Sequence, residues 1–305
     1  MPSKPKGVST LQQVVDFYMR GPRFLALKGK TQLNYEMHLK KTCETRLADG
    51  RLMGNIQVKR IKPRHLVECY EQWLQIGTST ANKRMAILSA CWKYARQWEI
   101  VVADPVSLVD RVSTKPRKVR WEKSHVKTFL DVAYSSFEHR SVGLIVHMAY
   151  EWGQRVGDMR TLTWSALDLE AKRIDLTQSK RNADVHLPIS DSLTRMLKQQ
   201  KLDFGFQQYV APHTKPRAGA YTPYKEEEIC IYINRVKHEA NLPHELTAMD
   251  LRRTAVTEML EGGVDMAGIM QVTGHRNPQS VKPYMINTYR GASAALSLRG
   301  NTQDD

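Results

Sequence analysis

A proline-bearing cationic stretch divides this chain, and the residues on its two sides differ in pattern and in charge. Pro105 follows Asp104, and Lys115, Pro116, Arg117, Lys118 and Arg120 make an extended basic run. Proline has no backbone N–H and a fixed φ, so a regular helix does not pass through it. Residues 105–120 are therefore expected to be a linker. Such a linker can track a phosphate backbone or can simply be solvated, and its position fits both. Of the 305 residues, 1–120 hold 23 Lys+Arg against 9 Asp+Glu, a net +14, whereas 121–305 hold 23 against 22, a net +1. A cationic front on a near-neutral back points to a polyanion-binding module joined to a unit with another task, nucleic acid being the partner such a field suits. The plainer alternative is a solvated basic face.

Other classes are removed quickly. The longest apolar run, residues 144–150, is broken by His147 and is too short to span a bilayer. Lys4 and Lys6 precede no apolar core, so residues 1–9 do not read as a secretory signal. Cys43, Cys69, Cys91 and Cys230 have no CxxC spacing, which gives neither a zinc site nor a disulfide framework and fits free thiols in a reducing cytoplasm. The expected localisation is the cytoplasm.

Before the linker the apolar spacing is helical. Leu11, Val14, Val15 and Tyr18 recur behind the capping candidates Ser9 and Thr10. A second helix is expected over 31–46, a third after Pro63 with Leu66, Tyr70, Trp73 and Leu74 on one face, and a fourth over 80–98 with Met85, Leu88, Cys91, Trp92 and Ala95 as its stripe. Lys59, Arg60, Lys62, Arg64, Lys83, Arg84, Lys93 and Arg96 lie beside or opposite these stripes, so the module has a basic outer face. After Trp121, helices are expected over 123–135, 140–152, 191–202, 224–240, 250–260, 266–272 and 277–287. Three short strands are expected at 167–169, 174–176 and 185–189. The fold class is α+β, mostly α, with one small antiparallel sheet. The expected divisions are a disordered 1–8, a helical DNA-binding domain 9–104, the linker 105–120, a second domain 121–290 and a tail 291–305.

The residues able to do chemistry are scattered through the second domain. No GxxxxGK[ST] or strand-following GxGxxG is present, and no His-rich metal signature, so neither a cofactor nor a metal is expected. Arg155 lies in Gly153-Gln154-Arg155-Val156-Gly157-Asp158, Lys180 lies in the turn between the last two strands, and Arg252 lies in Met249-Asp250-Leu251-Arg252-Arg253. His275 lies in Gly274-His275-Arg276, and Tyr284 follows nine residues later. Taken singly, each has a structural reading: a surface arginine, a solvated turn lysine, a helix cap, a half-buried aromatic.

Taken in this order and spacing, they resemble the tyrosine recombinase (phage integrase) family over nearly the whole chain. Family catalytic domains carry an Arg with an acidic residue three positions on, matched by Arg155 and Asp158. They carry a hairpin Lys about eight residues before a Val/Leu-Pro, matched by Lys180 and Leu187-Pro188. They carry a His-x-x-Arg-His box, then Gly-His, then Tyr nine residues later, matched by Arg252, Gly274-His275 and Tyr284. The box departs from the pattern: its first His is Met249 and its second is Arg253. A thioether neither donates nor accepts a proton. The helical front resembles the family's core-type DNA-binding domain.

The resemblance implies a site-specific recombinase or integrase that cleaves and rejoins duplex DNA through a 3′-phosphotyrosyl link and a Holliday junction, with phage or mobile-element integration and excision as its setting. Arg155 and Arg252 would neutralise the phosphate oxygens, and Tyr284 would attack phosphorus. Lys180 would protonate the leaving 5′-oxygen as general acid. His275 would bond a non-bridging oxygen or assist Tyr284, with Asp158 orienting. Tyr289 is the rival nucleophile, off the family spacing. Lys59, Arg60, Lys62, Lys83, Arg84, Lys93, Lys115, Arg117, Lys118 and Arg120 would contact DNA. The implied partner is double-stranded DNA, gripped by a homotetramer that is a monomer in solution, with an accessory directionality factor and no membrane. The tail, with Ala292, Ala294, Ala295, Leu296 and Leu298, would pack on a neighbouring protomer or on its own domain. Only about eight residues precede the first helix, which leaves no room for an arm-site domain of lambda type. Two other readings stay open: a catalytically weakened DNA-binding relative, and a type IB-like topoisomerase or resolvase.

Overall fold

The computed structural model describes residues 7–114, 117–180, 182–284, 291–293 and 296–297, and the backbone divides between Lys115 and Pro116 into two units. In the first unit, α1 (Leu11–Arg20) starts at Thr10, whose hydroxyl accepts from Gln13 N while the Gln13 side chain accepts from the Thr10 N–H. This reciprocal cap satisfies N–H groups that the first turn leaves unpaired. Helix α2 (Pro22–Leu25) is a single turn, α3 spans Gly29–Cys43, α4 spans Pro63–Ile76 and α5 spans Thr78–Gln97. Their apolar stripes make one core, with Leu11, Leu39, Leu66, Trp73, Met85, Leu88 and Trp92 buried. Each buried aromatic or aliphatic side chain there is worth about 1.5–3 kcal/mol.

Two expectations need correction here. The second helix ends at Cys43 because Arg46 turns into a bridge with Leu52 instead of continuing. The expected linker begins too early. Pro105–Leu108 forms a 3-10 turn capped by the Asp104 side chain, Val106 and Val109 are buried in the first core, and the Trp92 indole donates to Ala103 O. Proline stopped the α-helix there but not the packing.

The second unit contains α6 (Lys123–Tyr134), α7 (Phe137–Glu151), α8 (Val156–Met159), α9 (Asp191–Phe204), α10 (Glu226–Glu239), α11 (Ala248–Glu261) and α12 (Met266–Thr273). Strands β1 (Leu167–Asp168), β2 (Arg173–Thr177) and β3 (Asp184–Pro188) pair antiparallel in that order, with Ile174 opposite Leu187 and Leu176 opposite Val185. Ile174, Val185 and Leu187 face the core and their neighbours face water, the alternation of a one-sided sheet. Helix α7 is buried along most of its length, and the Trp152 indole just beyond it donates to Pro188 O, fastening the helix end to β3.

The segment that enters this unit is tied to α11. Arg117 pairs with Asp250 at 3.0 Å and donates to Glu245 O, Arg253 donates back to Arg117 O, and Trp121 N donates to Thr254 Oγ1 at 2.9 Å. Arg120 pairs with Glu261 at 2.7 Å. In the described part of the helix expected over 277–287, residues 277–284, there are instead two 3-10 turns, Pro278–Ser280 and Lys282–Tyr284, since Pro283 cannot supply the N–H a continuous helix needs. Residues 285–290 lie outside the described residues, as do 1–6, Lys115, Ala294, Ala295, Leu298 and 300–305, so the expectations for Tyr289 and for most of the tail fall there. Among the described residues no helix is long and apolar enough to cross a membrane.

Candidate active site

The expected catalytic residues come from five places along the chain. Arg155 is the residue before α8, held extended at φ −74° and ψ 137°. It follows Gly153, whose φ of +58° makes the chain reverse directly after α7. Lys180 is exposed in the β2–β3 turn. Arg252 lies in the first turns of α11. His275 follows the left-handed Gly274 that ends α12, and Tyr284 ends the second 3-10 turn.

Arg252 is buried, and its guanidinium is fully directed. Nη1 donates to Gly153 O at 3.0 Å, Nη2 donates to Thr273 O at 2.7 Å, and Nη2 lies 3.0 Å from His275 Nε2. A guanidinium can only donate, so Nε2 accepts and the proton of neutral His275 sits on Nδ1. Nδ1 then donates to Thr273 Oγ1 at 2.7 Å, and that hydroxyl donates to Ile269 O at 2.6 Å. Burial first, and then the positive charge of Arg155, push the Arg252 pKa down to about 10, with the Tyr284 side chain and Asp158 acting against the loss. Two guanidiniums therefore share one field, and an anion between them would relieve the mutual repulsion. The rings of His275 and Tyr284 are 6.0 Å apart, and Tyr284 packs against the small cluster of Val256, Ile269 and Val281.

Asp158 is buried. Its Oδ1 accepts from Ser179 N at 3.2 Å and Ser179 Oγ at 2.5 Å, and its Oδ2 stands 3.6 Å from Arg155 Nη1. It joins the arginine loop to the turn that carries Lys180. Among the described residues no ion pair fixes the Lys180 ammonium. Met249 is 86% exposed, on α11 three residues before Arg252.

Sequence reasoning missed two residues. Gln154 and Gln178 are wholly buried, and Arg155 Nη1 donates to Gln178 Oε1 at 2.9 Å. A glutamine ordinarily reads as surface. The only available signal was adjacency, one lying beside Arg155 and the other two residues before Lys180.

Gly274 gives a direct test of how tightly these segments are fitted. Its φ is +66°, and a Cβ there would lie 2.7 Å from Gln178 Nε2. That amide is pinned by hydrogen bonds and cannot swing aside. Gly274→Ala is expected to lower the thermal midpoint, at a strain of about 1–2 kcal/mol, and to slow any reaction at the site. Differential scanning calorimetry and a single-turnover rate check the two effects.

Of the expected DNA contacts, Lys59, Arg60, Lys62, Lys83, Lys93 and Lys118 are exposed. Arg84 is half-buried with its guanidinium 5.6 Å from the Trp73 ring centre, so much of its side chain is packing surface. Arg117 and Arg120 pair with Asp250 and Glu261, and both side chains stay partly exposed. Among the described residues no group of three or more His, Cys, Asp or Glu side chains could hold a metal ion.

A family model described as the phage integrase family matches residues 120–290, more than half of the chain. The chain belongs to the phage integrase, or tyrosine recombinase, family. Among curated proteins it is similar to a tyrosine recombinase XerC of Bacillus pumilus (strain SAFR-032), 23% identical over 235 residues, covering 72% of this chain and 73% of that protein. It is also similar to a shufflon-specific DNA recombinase of Escherichia coli, 22% identical over 313 residues, covering 99% and 76%. Among solved structures, a lambda integrase dimer bound to a COC′ core site superposes with a TM-score of 0.76 at 18% identity, covering 92% of this chain and 97% of that one. A lambda integrase tetramer bound to a Holliday junction gives 0.75 at 17%, covering 94% and 80%. The Tn1549 transposon integrase with circular intermediate DNA gives 0.75 at 16%, covering 95% and 99%. These likenesses establish the fold: helices around a small antiparallel sheet, as the sequence pattern led us to expect.

Proposed function

We propose that this protein is a site-specific DNA recombinase of a phage or mobile element, which cuts and rejoins duplex DNA through a tyrosine–phosphate link. The observation that carries the reading is the pair of guanidiniums. Arg252 is buried and the positive charge of Arg155 helps to lower its pKa, so an anion bound between them would relieve the repulsion that Asp158 only partly offsets. A phosphodiester resists attack because its anionic oxygens repel a nucleophile, and two forked donors offset that charge as it builds in the transition state. Tyr284 would attack phosphorus and release a 5′-oxygen that Lys180 protonates. The link keeps the bond energy, so resealing is the reverse step. The phosphate would take the Arg252 donors not spent on Gly153 and Thr273, and His275 would donate to a phosphate oxygen when Nε2 carries the proton, Nδ1 then accepting from the Thr273 hydroxyl. The basic first unit, with Lys59, Arg60, Lys62, Lys83 and Lys93, would grip the backbone. The DNA-bound lambda and Tn1549 integrases support DNA as the partner, and the lambda tetramer supports assembly as a tetramer on a junction.

The experiment is covalent capture. The full chain is incubated with sheared DNA of its source genome, denatured, and the DNA that stays attached to protein is sequenced. Adducts at one short sequence, with the phosphate on the peptide containing Tyr284, are expected. Relaxation of supercoiled plasmid with no sequence preference would replace this reading with a topoisomerase-like one. A second reading, a weakened DNA-binding relative, is favoured by one observation, the exposed Met249 at the box position. Met249→His is expected to accelerate cleavage by up to about a hundredfold, the low end of what a placed proton-transfer group contributes. An unchanged single-turnover rate would mean that the site works without a group there.

A further inference from the structure

We propose that Gln154 and Gln178 are positioning residues that hold the Arg155 guanidinium in register with Arg252. The proposal rests on the reading of this site as the DNA-cleaving centre and adds to it two residues outside the expected set.

The two amides form one continuous chain of hydrogen bonds. Gln154 Nε2 donates to Trp152 O at 2.9 Å and to Val272 O at 2.7 Å. Gln154 Oε1 accepts from Gln178 Nε2 at 2.6 Å. The second hydrogen of Gln178 Nε2 goes to Thr273 O at 2.8 Å, and Gln178 Oε1 accepts from Arg155 Nη1. Every amide hydrogen has an acceptor and each amide oxygen a donor. Neither amide can flip, because exchanging its O and N would set like against like at each end.

The chain binds three segments: the loop after α7, the β2–β3 turn, and the C-terminal end of α12. Thr273 O is where it meets the second arginine, since that oxygen accepts from both Gln178 Nε2 and Arg252 Nη2. Each guanidinium is thus one amide or one carbonyl from the other. Arg155 is the looser of the two, its side chain 25% exposed and its carboxylate partner 3.6 Å away. Without Gln178, Arg155 would keep the 3.6 Å ion pair with Asp158 but lose its directed hydrogen bond. The same residue anchors the turn two positions before Lys180, through Gln178 N to Ala183 O at 2.9 Å. Two fully buried glutamines are costly unless completely satisfied, and here they are.

The test uses the full chain and Gln178→Leu, Gln154→Leu, the double variant, and Gln178→Asn, whose amide is one methylene too short to reach both neighbours. The first readout needs no DNA. Phenylglyoxal modification is followed residue by residue by mass spectrometry. Modification at Arg155 is expected to rise several-fold in the Gln178 variants, while that at exposed Arg20 stays constant. The second readout is single-turnover adduct formation on a captured duplex. Gln178→Leu should slow it about a hundredfold, the scale of an ångström-level misplacement, with DNA affinity retained. Gln154→Leu should slow it less, and the double variant no more than Gln178→Leu alone, because the two act in one chain. With a methylphosphonate at the scissile position one anionic oxygen is gone, and the Gln178 defect should shrink. Unchanged Arg155 modification, multiplicative losses in the double variant, or an equal defect on both substrates would each overturn the proposal. If the unsubstituted chain forms no adduct but Arg155 still loosens in the variants, the positioning stands and the proposed function falls. Gln178→Asn gives the same comparisons should the leucine variant not fold.

Discussion

Tyr284→Phe is expected to bind duplex DNA as the unsubstituted chain does and to form no covalent adduct on a nicked substrate that traps the intermediate. The change removes one oxygen. The ring of Tyr284 packs on Val256, Ile269 and Val281, and its backbone N–H donates to Val281 O, so Phe keeps the packing and the turn. What it removes is the atom that would become the ester oxygen. No other side chain can supply that bond at the same place, so the loss should be complete rather than graded. Gel-shift titration measures the binding and denaturing electrophoresis the adduct. An adduct formed by the Phe protein would sink the assignment of Tyr284, and peptide mapping would then show whether Tyr289 carries the phosphate.

The second large effect is expected at Arg252→Lys. The substitution keeps a positive charge and comparable length, so a role as a bare charge would survive it. The structure gives Arg252 three directed partners, Gly153 O, Thr273 O and His275 Nε2, spread across both terminal nitrogens. One ammonium cannot reach all three and also face a phosphate. Cleavage is expected to fall about 10²- to 10³-fold, the range for removing one donor from a developing oxyanion. DNA affinity, which is supplied mainly by the exposed cations, should change little. A lysine variant within threefold of the parent rate, on the order of 0.6 kcal/mol, would mean that the fork geometry is not used.

The helices and the sheet were legible because burial writes itself into period. The stripe of Met85, Leu88, Cys91, Trp92 and Ala95 and the alternation through Ile174 and Val185 each report one buried face. The ends were less so. Pro283 stops an expected helix through a missing N–H, whereas Pro105 opens a 3-10 turn that packs, and the difference lies in Val106 and Val109 finding a core. The site residues were legible through their order along the chain. Their partners were not, because a hydrogen bond such as Gln178 to Gln154 joins positions that no local pattern relates. The same holds for Arg117: its charge marked it as a phosphate contact, and only the fold reveals Asp250 waiting for it.

The fastening of residues 117–121 to α11 has a mechanical consequence. The chain leaves the cationic unit, and within a few residues of the division it is pinned to the helix that carries Arg252, by Arg117 on Asp250, Arg253 on Arg117 O, and Trp121 on Thr254. A pull on the connector would reach that helix first and, through Arg252 on Gly153 O and Thr273 O, the segments fastened to it. The connector is therefore moored to the same helix that places Arg252.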